Sequence, residues 1–94
     1  MSERNNYIDN MKLELDTLND QLGSLEARVM HVRQEARQQY EGELARLRTQ
    51  SREALAKWES LQGSTEATWH QAVPDMDRLR NAFFHAFHLL KARM

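Results

Sequence analysis

Few residues in this chain are of a type that could hold or transform a ligand. His85 and His88 lie three apart, close enough on a helix to share a metal ion, and Asp77 and Asn81 lie on neighbouring turns as oxygen donors. A metal site wants three or four ligands in a fixed geometry. The chain has no Cys, and His31 and His70 are far away in sequence. His85 and His88 are therefore only a weak metal candidate. The expectation is no metal and no cofactor, with both rings flanking an apolar seam.

Other chemistries have less to work with. There is no thiol nucleophile, no Gly-rich phosphate loop and no Ser in a turn motif. The carboxylates are spread along solvent positions of what reads as a rod, which offers no concave pocket to shift their acidity. A basic middle (Arg28, Arg33, Arg37, Arg46, Arg48, Arg52) surrounds Tyr40, but Glu35, Glu41, Glu43 and Glu53 are interleaved with it. That mixture cancels much of the field on which phosphate binding relies. Neither enzymatic activity nor nucleic-acid binding is expected.

The elements that would carry these residues are written in the apolar spacing. Charged residues make up 29% of the 94 and the apolar set 40%, with three Gly and one Pro. Such a bias toward Ala, Leu, Glu, Gln and Arg favours long helices. Ile8, Met11, Leu15, Leu18, Leu22, Leu25, Val29, Val32 and Ala36 follow one another in alternating steps of three and four. A strict 3.5-residue repeat implies a supercoil with a partner helix. Ala36, Tyr40, Leu44 and Leu47 then form an eleven-residue unit, and heptads resume through Ser51, Ala54, Trp58, Leu61, Thr65, Thr68 and Ala72. The pattern predicts an all-α, elongated coiled coil with one helix over about 5–62, roughly 85 Å long at 1.5 Å per residue. So long and narrow a stripe must pair.

Two interruptions follow. Gly63-Ser64-Thr65 suits a helix stop and a new cap, giving a weak break over 63–65 and a short helix over 65–72. Pro74 reads as the firmest boundary, because it lacks an amide donor and fits the first position of a new helix. A terminal amphipathic helix over 74–93 is then expected, with acids in its first turn and bases in its last. Its face is Met76, Leu79, Phe83, Ala86, Phe87, Leu90 and Met94, with Phe84 beside it. The whole of 1–94 reads as one helical domain.

Several residues outside the bare heptads also resemble a known group. Tyr7-Ile8-x-x-Met11-Lys12-x-x-Leu15-Asp16-x-x-Asn19, the run Ala36-Arg37-x-x-Tyr40-Glu41, and Lys57-x-Glu59-x-Leu61 followed by Ala67-x-Trp69 stand where that group has them. The group is a set of short bacterial coiled-coil domain-containing proteins, some described as stress-response proteins. The resemblance implies an elongated helical protein without known catalysis, and it carries no functional residues across. The chain departs from it at Pro74 and in the cluster Phe83-Phe84-His85-Ala86-Phe87-His88.

The function expected from the sequence is a non-enzymatic structural or interaction protein that self-associates, with a stress-related setting implied by the resemblance. The oligomer seam would be Ile8, Met11, Leu15, Leu18, Leu22, Leu25, Val29, Val32, Ala36, Tyr40, Leu44, Leu47, Trp58 and Leu61. Extended pairing along this seam competes with a folded-back hairpin or small bundle. Another coiled-coil protein is a second candidate partner. The alternative is peripheral lipid binding through 76–94, since aromatic and basic residues there resemble an interfacial helix. No secretory signal or membrane span is visible, and the cytoplasm is the expected location.

Overall fold

The computed structural model describes residues 3–94. The domain read over 1–94 thus includes two positions, 1 and 2, outside the described residues. Three helices account for nearly all of the rest: α1 (Glu3–Met30), α2 (Gln34–Gln62) and α3 (Glu66–Arg93). The molecule measures 50 × 20 × 18 Å, which matches the ~42 Å length of a single 28-residue helix.

The contacts between helices give their directions. Trp58 Nε1 donates to the Ile8 carbonyl at 2.8 Å, and Arg48 donates to Asn19 at 2.8 Å, so α2 runs antiparallel to α1. Lys57 lies 3.8 Å from Asp75, and Arg93 pairs with Glu43, so α3 runs antiparallel to α2. Tyr7 meets Asp77 and Glu14 meets Arg80, so α1 and α3 are parallel. The result is an up-down-up three-helix bundle.

The heptad residues form the core of this bundle. Met11, Leu15, Leu18, Leu22, Leu25 and Val29 of α1 are buried against Leu44, Leu47, Ala54 and Leu61 of α2 and Ala72, Met76, Phe83, Phe87 and Leu90 of α3. Each helix therefore buries its stripe against the other two helices of the same chain.

The helix bounds differ from the sequence reading in two places. The single helix expected over 5–62 is two helices, because the chain turns at His31-Val32-Arg33. The turn is held by backbone bonds from His31 N to Arg28 O (3.1 Å) and Val32 N to Val29 O (3.2 Å). Arg37 reaches back to donate to the Met30 carbonyl at 3.2 Å, which serves one of the acceptors that the end of α1 leaves open. Folding here lets an apolar stripe too long to stand alone close on its own continuation.

The second difference is Pro74. It lies inside α3, and the helices expected over 65–72 and 74–93 are one element, Glu66–Arg93. Proline removes one backbone bond and crowds the preceding turn, but other contacts hold the helix on both sides of it. Thr65 and Thr68 make a reciprocal capping box nine residues upstream of Pro74. Ala72 and Met76 are buried on either side, while Pro74 itself is exposed. At the other candidate break, α2 ends at Gln62 and α3 starts at Glu66, with the Gly63 amide bonded to Ser60 O at 3.2 Å.

Candidate interaction groove

α2 packs closely against both of its neighbours, whereas α1 and α3 touch each other least. A groove therefore runs between α1 and α3 along the side away from α2. It consists of two linked depressions of about 310 and 330 Å³, both lined by α1 and α3 alone. Sequence explains the gap. The α1 residues that line it include the polar Asn10, Glu14, Thr17 and Gln21, which interlock poorly with α3.

Glu14 and Arg80 cross the groove at its middle, 2.9 Å apart, and belong to both depressions. On the amino-terminal side of this pair, Tyr7 Oη donates to Asp77 Oδ1 at 2.6 Å and the Trp69 ring stands edge-on to Tyr7 at 5.6 Å. Burial, reinforced by the Asp77 carboxylate, pushes the Tyr7 phenol above its ordinary pKa. This end is structural in character, because Arg4 lies over Trp69 at 4.7 Å and also donates to the Leu61 carbonyl at 3.3 Å.

On the carboxyl-terminal side the groove is apolar. Leu18, buried, forms its floor, and Leu13 and Phe84 stand on opposite rims, 67% and 40% exposed. Phe84 is held on its own helix between two neighbours one turn away. The Arg80 guanidinium lies 4.7 Å from its ring centre and the His88 ring 4.3 Å from it. The rim is thus an anchored aromatic surface rather than a loose side chain.

The residues expected to form contact surfaces are placed differently. Of the predicted seam, Met11, Leu15, Leu18, Leu22, Leu25, Val29, Leu44, Leu47 and Leu61 are buried within the chain, and Val32, Tyr40 and Trp58 are partly buried against them. Ile8 and Ala36 are also partly covered. The expected carboxyl-terminal face is likewise turned inward: Met76, Phe83, Phe87 and Leu90 are at most 1% exposed, and Leu79 and Met94 pack on the core. A lipid surface would meet Phe84 and Leu89 instead, both of which lie outside that face.

His88 contacts Phe84 and Phe87, and both His85 and His88 are exposed. Among the described residues no group of three or more His, Cys, Asp or Glu side chains is placed to hold a metal ion. Two members of the basic middle have internal partners, Arg48 with Glu26 and Arg37 at the end of α1. No helix among the described residues is long and apolar enough to cross a membrane.

The groove is hidden in the sequence because its rims are out of phase with the core. Leu13 falls between Met11 and Leu15, and Phe84 follows Phe83 directly. Large apolar residues off the main stripe are its one sequence signal. No protein-family model, curated protein or solved structure matches the chain.

Proposed function

We propose that this chain is a non-enzymatic interaction protein that accepts one amphipathic α-helix of a partner protein in the groove between α1 and α3. The observation that carries the proposal is the open, partly apolar seam between two parallel helices, with Leu18 as floor and Leu13 and Phe84 as rims. Helix-in-groove recognition needs such a floor and a few anchoring side chains. The resemblance to short bacterial coiled-coil proteins agrees with a non-catalytic role and adds a stress-related setting to the proposal.

Charge selects the direction of the incoming helix. Asp77 lies toward the amino-terminal end of the groove, while Lys91 and Arg28 lie on the same two helices beyond its carboxyl-terminal lining residues His88 and Gln21. Helices commonly carry acids in the first turn and bases in the last. A helix of that kind docked antiparallel to α1 and α3 sets its acidic end against Arg28 and Lys91 and its basic end against Asp77. α2 already occupies the equivalent position on the opposite side in the same direction.

The test uses two designed helical peptides of about 21 residues. Both carry leucines at i, i+3, i+4 and i+7, and they differ only in having acids first or bases first. Fluorescence anisotropy is expected to show saturable binding of the acid-first peptide, at least ~10-fold weaker binding of the bases-first peptide, and loss of binding with Leu13→Glu or Phe84→Glu. Equal binding of both peptides, or binding unchanged by these substitutions, would remove the proposal.

A further inference from the structure

The two turns of the bundle are encoded very differently. Between α2 and α3 stand Gly63, Ser64 and Thr65, followed by the Thr65–Thr68 capping box. Between α1 and α2 stand His31, Val32 and Arg33, which include neither Gly nor Pro. No residue there has a positive φ, and Arg33 caps α2 with no side-chain hydrogen bond. The heptad phase also runs through the turn without a slip, from Leu25 and Val29 to Val32 and Ala36. Arg37, in the first turn of α2, has a buried Nε without a hydrogen-bond partner. The side-chain bonds that hold the closed turn, from Arg37 to the Met30 and Val32 carbonyls, are long, at 3.2 and 3.5 Å, and no residue type in the turn opposes a straight helix.

We infer that a second copy of this chain is a partner, joined by straightening of residues 31–33 into a continuous α1–α2 helix and reciprocal exchange of α1. In that dimer two helices of about 60 residues, each ~90 Å long, lie antiparallel and cross at Val32. The α1 of each copy fills the place left by the other's, between that copy's α2 and α3. Every contact of α1 re-forms with the same chemistry, including Glu26 with Arg48, Ile8 with Trp58, Tyr7 with Asp77 and Glu14 with Arg80. The exchange therefore changes only the turn and the association entropy, and concentration sets the balance between the two forms. Each half of the dimer also keeps an α1/α3 groove, so the dimer presents two. The inference rests on the turn and the heptads, independently of what the groove binds.

Because the chain has no native Cys, the exchange can be read by a cross-chain disulfide. Glu26→Cys and Arg48→Cys are made in separate chains, mixed, unfolded, refolded together over a hundredfold range of concentration and oxidised. A mixed disulfide between the two variants is expected, rising with concentration, together with a species of doubled mass by light scattering. Arg33→Pro should suppress both, since its φ of −59° suits proline in the turn whereas proline inside a continuous helix is strongly unfavourable. The dimer's dissociation constant should rise at least ~100-fold. Arg33→Ser, which supplies a cap for α2, is the second variant and should act in the same direction if the proline chain folds poorly. Phe84→Glu should leave the exchange intact, which separates this result from failure of groove binding. The inference is overturned if a chain carrying both Glu26→Cys and Arg48→Cys closes its disulfide internally while the separate single variants never pair across chains. It is equally overturned by a dimer that persists undiminished with proline at position 33.

Discussion

Arg80 Nε stands 2.9 Å from Glu14 Oε2, and this pair divides the groove between α1 and α3 into a hydrogen-bonded end and an apolar end. Both side chains remain partly exposed, 26% for Arg80 and 47% for Glu14. The pair on its own therefore adds little to stability. Its position matters more, because Arg80 also lies over Phe84 and sets the rim on which a helix would rest.

Adjacent residues on α3 should differ widely in their response to truncation. Phe83 is fully buried, so Phe83→Ala should lower stability by about 3–5 kcal/mol. Phe84 is 40% exposed, and Phe84→Ala should lower it by less than about 1 kcal/mol. Urea unfolding followed by circular dichroism measures both, and similar losses would mean that Phe84 belongs to the core.

Pro74 lies inside α3 at an exposed position, where its missing donor costs a helix bond. Pro74→Ala should raise stability by about 1–3 kcal/mol, the range left after tertiary contacts hold the helix in place. Thermal unfolding reads the change. A loss of stability would show that α3 requires a bend at this point.

Tyr7 gives the fold a specific alkaline response. Its phenol is raised by burial first and by Asp77 second, so the folded state holds the proton more tightly than the unfolded chain. Stability from this group is fully present below the unfolded value, about pH 10, and falls as pH rises from there toward the folded value. Unfolding free energy measured from pH 8 to 11 should drop at the alkaline end in the wild type. In Tyr7→Phe that part of the drop should be absent, and an unchanged slope would contradict the assignment.

The two turns should also differ in their response to capping. Thr65→Ala removes a capping box and should cost about 1 kcal/mol. Arg33→Ser adds a cap where none exists and should stabilise the closed monomer by a few tenths to about 1 kcal/mol. Denaturant titration at low protein concentration measures both, and a neutral Thr65→Ala would show that the turn is held by Gly63 alone.

These residues also show how far the fold could be read from sequence. The steps of three and four from Met11 to Val29 fall on buried positions of α1, because a narrow apolar stripe must be covered. They could not say whether the cover comes from another chain or from the same one. The turn at 31–33 is silent for the reasons that make exchange feasible: it has no Gly, no Pro and no side-chain cap. Pro74 misled in the other direction, since a strong local signal is overridden when Ala72 and Met76 pack on both sides. The groove depends on which helix flanks face each other, and that relation arises only after the chain has folded back twice.

The most direct test of the proposed function is a nitrogen-15 chemical-shift titration of the full chain with the acid-first peptide. The account predicts shifts concentrated on Leu13, Thr17, Gln21, Phe84 and His88, with the outward-facing residues Arg46, Thr49 and Glu53 of α2 unmoved. Shifts centred on α2, or none at saturating peptide, would contradict it.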